Sequence, residues 1–114
     1  LIEMVEFVNE DMALIVGEED QSYDPVTAAQ AADDLLNMSG VDASFVVTRR
    51  ADGRVGISAR SLGEINVQLT MEAMGGGGHL SNAATQIADK TVAEVRQQLL
   101  DILTHSDEPE TATT

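Results

Sequence analysis

The residues best equipped for chemistry in this chain stand together. They are Gly75-Gly76-Gly77-Gly78-His79, followed by Ser81, Asn82 and the small pair Ala83-Ala84. Four consecutive glycines bring no side chain to a core, and they weaken a helix or strand by roughly 0.5–1 kcal/mol each relative to alanine. What they permit is positive φ and close approach of the main chain to something else. Successive amides in such a loop can form a concave anion site, and a helix N-terminus just after it would add partial positive charge. His79 supplies a donor that titrates near neutral pH. The pattern reads as a ligand-binding loop rather than a flexible turn that ends in histidine.

A second set of donors lies upstream. From Arg54 to Ser61 the side chains alternate as in a strand. Val55, Ile57 and Ala59 point to one side, and Arg54, Gly56, Ser58 and Arg60 point to the other. Arg60 offers a planar fork suited to phosphate, Ser58 a hydroxyl on the same face, and Gly56 leaves room beside them. A surface salt bridge is the competing use for Arg60 in so acidic a chain, and Arg49, Arg50 and Arg54 read as a solvated hairpin. Asn82 can read a base edge or a ribose. A complete catalyst is not visible. Only two histidines exist, of which His105 lies by the C-terminal tail, and no His and Asp stand at ligand spacing. Glu18-Glu19-Asp20 reads as a solvated loop. There is no cysteine, and no serine sits in a strand-turn-helix elbow. Donors without a base or a metal make a binding site, so no metal site is assigned to this chain.

Charge narrows the ligand. The 114 residues carry a net charge of −14, and no Lys or Arg occurs from Leu1 to Thr48. Four of the six basic residues then fall between Arg49 and Arg60. Such a body repels a long polyanion but can hold a small phosphate ligand at one local basic patch. With one Tyr, two Phe and no Trp, it lacks the stacking surface of a single-strand-binding module. No run approaches the ~20 apolar residues of a membrane span, so no membrane contact is expected of this segment. The chain starts on Leu1, which reads as a piece of a longer protein.

The elements that must position these groups follow in order. Ile2 to Val8 and Met12 to Val16 read as two strands joined by a tight turn. Asp24-Pro25 opens a helix, with an acceptor at the N-cap and proline at N1. Ala28, Ala31, Ala32, Leu35 and Met38 form its apolar stripe, and Gly40 stands where a C-terminal cap is wanted. Ala43 to Arg50 and Arg54 to Ser61 form a hairpin about Asp52-Gly53. Asn66 to Met74 carries Val67, Thr70, Met71 and Met74 at helical spacing and leads into the glycines. Ser81 to Ala84 is expected to be helical, and Thr85 to Ala88 to add a strand. Thr91 and Glu94 make a capping box for a last helix bearing Val92, Val95, Leu99, Ile102 and Leu103. The fold class is α/β: a single compact domain over residues 1–104, with a mixed sheet of four to five strands and packed helices. Residues 105–114 read as a disordered tail.

Gly-Gly-Gly-His followed by small residues resembles the signature of the DHHA1 domain, the substrate-binding partner of DHH-family phosphoesterases. With Ile57-Ser58-Ala59-Arg60-Ser61-Leu62-Gly63-Glu64-Ile65-Asn66-Val67-Gln68 before it, the string from Gly75 to Ile87 looks narrower. It resembles the C-terminal domain of the GdpP-type cyclic-di-AMP phosphodiesterases, and the likeness runs from about Val5 to Leu103.

The resemblance implies a division of labour. An upstream DHH domain of the same chain would hold two divalent ions, commonly manganese, and this domain would bind no cofactor alone. Gly76, Gly77, Gly78 and His79, with Ser58 and Arg60, would contact the substrate, and Asn82 and Asn66 are weaker members of the set. The parent would be a hydrolase opening cyclic di-AMP to linear pApA, anchored in the cell membrane with this domain facing the cytoplasm. A homodimer of the parent is compatible with it. This piece alone would hydrolyse nothing. The alternatives are the same domain from a nano-RNase or pAp-phosphatase type of DHH enzyme, a non-catalytic nucleic-acid-binding module, and a structural dimerisation domain with a glycine hinge.

Overall fold

The computed structural model describes residues 5–105. Nine elements run in the order β1 (Val5–Phe7), β2 (Met12–Val16), α1 (Pro25–Leu36), β3 (Ala43–Arg49), β4 (Val55–Ser61), α2 (Val67–Ala73), β5 (Gly77–His79), β6 (Asn82–Ile87) and α3 (Val92–His105). They build one mixed sheet of six strands, rather than four or five, in the order β1-β2-β3-β4-β6-β5. Only β2 and β3 run parallel, joined through α1, and every other neighbouring pair is antiparallel. Residues 2–4 of the expected first strand and 106–114 of the expected tail lie outside the described residues, and His105 belongs to α3.

Alternation along the strands sends two apolar sets to two faces. Leu14, Phe45, Val47, Val55, Ile57, Ala59 and Ala83 meet Val67, Met71, Val95 and Leu99 from α2 and α3 on one face. Ala13, Ile15 and Val46 meet Ala28, Ala31, Ala32 and Leu35 of α1 on the other. Alanines on α1 let it lie close to the sheet, close enough for the buried Ser44 hydroxyl to donate to the Ala32 carbonyl at 2.7 Å. Helix α1 packs over β3 and β4 and leaves the outward residues of β6, namely Asn82, Ala84 and Gln86, exposed.

The helix ends explain themselves. Asp24 caps α1 by accepting from Val26 N at 2.8 Å. Its C-cap is Asn37, not Gly40, which sits at φ +86° in the turn beyond, and Met38 falls outside the buried stripe. The capping box of α3 closes in both directions: Thr91 N donates to Glu94 Oε1 at 2.8 Å, and Glu94 N to Thr91 Oγ1 at 3.0 Å. Glu19 clamps the same end, accepting from Val92 N at 2.7 Å and pairing with Arg49. The Arg49 bond, chiefly, holds the Glu19 carboxyl below the usual carboxylate range.

The largest departure from expectation is the glycine segment. Residues 81–84 form no helix: Gly77–His79 is a strand, Leu80 and Ser81 make the turn, and β6 starts already at Asn82. Close packing is the cause. A Cβ at Gly76 would lie 2.2 Å from the Ala84 carbonyl oxygen, and one at Gly78 would lie 2.6 Å from Ala83 Cα. Without side chains the segment settles directly on β6, whose Ala83 and Thr85 alternate into the core as a strand requires.

Candidate functional site

The register of three strands assembles the site. Arg60 of β4 pairs with Asn82 of β6, and Asn82 pairs with His79 of β5. Opposed residues of antiparallel strands share a face, so Arg60, Asn82 and His79 form one row. At ~4.8 Å between strands the row spans about 10 Å. The next row is Ser58, Ala84 and Gly77. Both lie on the α1 side of the sheet, their β4 members beside α1 and their β6 members Asn82 and Ala84 exposed.

Each donor has a defined state. Arg60 Nε donates to Asp33 Oδ1 at 2.9 Å and Nη1 to the Ala59 carbonyl at 3.0 Å, while Nη2 has no partner among the described residues. The Arg60 side chain is 14% exposed and that of Asp33 is 54% exposed. A pair so open to water contributes at most about 1 kcal/mol to stability. Its visible effect is to hold the guanidinium in place with Nη2 left over. The competing use of Arg60, a salt bridge, is thus present, and Nη2 is the part of the fork it leaves over. His79 is exposed, and its Nδ1 accepts from Ser81 N at 3.3 Å with Ser81 Oγ at 3.2 Å. A ring nitrogen that accepts carries no proton, so in the neutral ring Nε2 bears the hydrogen and can donate outward. Asn82 and Ser58 make no side-chain hydrogen bond among the described residues.

The glycine amides are less available than a free loop would make them. Gly75 N donates to the Glu72 carbonyl at 3.1 Å, and Gly76 N to the Met71 carbonyl at 2.8 Å. No helix follows the glycines, so the expected helix-terminus charge is absent and side chains carry the site. Asn66 stands apart from the rows. It caps α2, its Oδ1 accepting from Leu69 N at 3.2 Å.

The arginines of the β3–β4 hairpin are tied to neighbours. Arg50 pairs with Asp52 at 3.2 Å, and Arg54 Nη1 donates to Gln86 Oε1 at 3.2 Å. The Arg54 amide and the Arg50 guanidinium together hold the Asp52 carboxyl below the usual carboxylate range. Sequence reasoning missed Asp33, which meets Arg60 across 27 residues of chain. No local pattern signals such a contact; only the order of strands and helix reveals it. Among the described residues no three of His, Asp and Glu gather where they could hold a metal ion.

Comparison with known proteins agrees with this architecture. The DHHA1 domain model matches residues 7–105. The cyclic-di-AMP phosphodiesterase PdeA of Listeria monocytogenes is 56% identical over 103 residues, covering 90% of this chain and 16% of that protein. The cyclic-di-AMP phosphodiesterase GdpP of Geobacillus thermodenitrificans is 53% identical over 103 residues, again 90% of this chain and 16% of the relative. This chain thus spans less than a fifth of the length of the relatives it matches. Among solved structures, the pGpG-specific phosphodiesterase PggH of Vibrio cholerae shares the fold. It superposes with a TM-score of 0.62 at 16% identity, over 91% of this chain and 36% of that one. With its model matched over nearly the whole described length, the chain belongs to the DHHA1 domain family.

Proposed function

We propose that this chain is the substrate-binding domain of a phosphodiesterase that opens cyclic di-AMP to linear pApA, working with a DHH domain elsewhere in the longer protein. The observation that carries the reading is the Arg60–Asn82–His79 row, on a domain whose relatives at 53–56% identity are named cyclic-di-AMP phosphodiesterases. In the reaction, water adds to phosphorus as the bond to a ribose 3′-oxygen breaks, and that oxygen takes up a proton. Divalent ions on the DHH domain, manganese being the expectation, would supply the activated water.

This chain's part is charge stabilisation and orientation. Arg60 Nη2 and His79 Nε2–H donate to non-bridging phosphoryl oxygens, where negative charge grows in the transition state. Asn82 lies between them and fixes the ribose or base edge, and Gly77, with no Cβ, leaves the second row open beside Ser58. The family likeness also supports a membrane-anchored parent with this domain on the cytoplasmic side. Among the described residues no helix is long and apolar enough to cross a membrane.

The test uses the longer protein, wild type and His79→Ala, assayed with cyclic di-AMP and with linear pApA. The expected result is cyclic-di-AMP hydrolysis that falls at least tenfold in the variant, about 1.4 kcal/mol of transition-state stabilisation. A folded variant with full activity would remove His79 from the site. Preference for pApA over the cyclic substrate would reassign the enzyme to the linear-dinucleotide branch.

A further inference from the structure

Beside the donor rows, a cleft of about 160 Å³ opens between the start of α1 and the sheet. Its lining includes Tyr23, Ala28, Thr48, Ser58, Ala84 and Gln86. We propose that this cleft is the subsite for a purine base of the nucleotide whose phosphate meets Arg60 and His79, with Asn82 between them at the ribose. The proposal rests on the function proposed above and adds where the base goes.

The shape suits a flat ring. The floor is the pleat of β4 and β6, where Ser58 and Ala84 offer no side chain longer than a hydroxymethyl group, and the Arg50 stem lies against Gly56 at one end. The wall is Tyr23 with Pro25 and Ala28 of α1. Gly17 leaves room for the tyrosine ring, since a Cβ there would come within 2.7 Å of its Cε1. An aromatic wall over a small-residue floor favours a stacked heterocycle.

The polar groups point to a ligand as well. Thr48, only 2% exposed, lines the cleft, and its hydroxyl makes no hydrogen bond among the described residues. A cleft-lining hydroxyl without a protein partner is available to a ligand. The hydroxyls of Tyr23 and Ser58 are also without partners among the described residues. Each can donate or accept, as the mixed edge of a purine requires. Gln86 Oε1 is taken by Arg54, which leaves its amide N–H groups for the ligand. The cleft's one cation, Arg50, is already paired with Asp52, so a neutral ring fits here better than a second phosphate.

Register sets the distance. Ser58 lies two residues from Arg60 on the same face of β4, about 6.6 Å along the strand. That separation matches a base and its own phosphate across one ribose.

The test is amide chemical-shift mapping on this 114-residue chain with adenosine 5′-monophosphate and, separately, ribose 5-phosphate. The monophosphate should shift Thr48, Gly56, Ala84 and Gln86 together with Arg60 and Asn82, and ribose 5-phosphate only the latter pair and His79. Ala84→Leu, at an exposed position, should weaken the monophosphate at least tenfold more than it weakens ribose 5-phosphate. Thr48→Val, which keeps the side-chain shape, should weaken it about threefold. Identical shift patterns from the two ligands, undiminished binding by Ala84→Leu, or no response at the cleft would each overturn the base subsite. Cleft shifts without any at Arg60 or His79 would keep the subsite and sink the phosphate row instead.

Discussion

Within the glycine run, two neighbouring positions should respond to alanine in opposite ways. At Gly76 an added Cβ would stand 2.2 Å from the Ala84 carbonyl oxygen, 2.4 Å from Thr85 Cβ and 2.7 Å from Thr85 Cα. Backbone on both sides must part by about an ångström to reach ordinary contact. Thr85 cannot yield cheaply, because it is buried and its hydroxyl donates to the Met74 carbonyl at 3.0 Å. Lifting the glycines instead loosens the 2.8 Å bond from Gly76 N to the Met71 carbonyl. Overpacking of this kind costs ~1–3 kcal/mol, and each bond lost adds about 1 kcal/mol. The lower unfolded-state entropy of alanine offsets ~0.5 kcal/mol. The sum is a loss of about 3 kcal/mol, which lowers the urea midpoint by roughly 1–2 M at a slope of ~2 kcal/mol/M. At Gly77 a Cβ would meet nothing within 4 Å, and its φ is not positive. Gly77→Ala should therefore be neutral or stabilise by up to ~1 kcal/mol, while its new methyl intrudes on the row with Ser58 and impairs binding. Urea unfolding of the two variants by circular dichroism reads this directly. Equal midpoints would refute the packing of the glycines on β6.

Three further outcomes are expected. Thr85→Val keeps the shape and leaves the Met74 carbonyl unpaired, so unfolding should show a loss of about 1–2 kcal/mol. Arg60→Ala should change stability by less than ~1 kcal/mol, its pair with Asp33 being half open to water, yet in the longer protein it should raise the KM for cyclic di-AMP at least tenfold. Arg60→Lys should recover only part of this, since an ammonium cannot hold Asp33 through Nε and still present a second donor. Acid unfolding tests the Glu19 clamp on α3. Its folded-state pKa is depressed by Arg49, so its contribution is full above the ordinary glutamate value of about 4.3 and fades as pH falls through the lower folded value. Glu19→Gln should be less stable than wild type at neutral pH, with the gap closing in acid; a gap that widens in acid would reverse the assignment.

What could be read from sequence was whatever local chemistry decides. Asp24-Pro25 and Thr91 with Glu94 announced helix starts because capping is a matter of three or four residues. Alternation from Val55 to Ser61 placed Ser58 and Arg60 together for the same reason. The glycines defeated the reading, because a stretch without side chains has no period to detect. Its strand character comes from Ala83 and Thr85 on the far side of the turn. Asn66, which the family resemblance names as a weaker substrate contact, caps α2, a use that residue type alone does not announce. Helix α1, whose alanine stripe packs on the sheet, also carries the carboxylate that holds Arg60. Sheet order creates that contact, and it is invisible along the chain.

The two rows of donors also have a mechanical consequence. Their members ride on three hydrogen-bonded strands of one sheet, so they cannot rearrange one at a time around a substrate. On the function proposed above, closure over a bound nucleotide would swing the whole sheet as a single jaw. Motions of that kind run on the microsecond-to-millisecond scale of domain hinges. Mutations that stiffen the connection to the rest of the protein should therefore slow turnover while leaving every contact in the site intact.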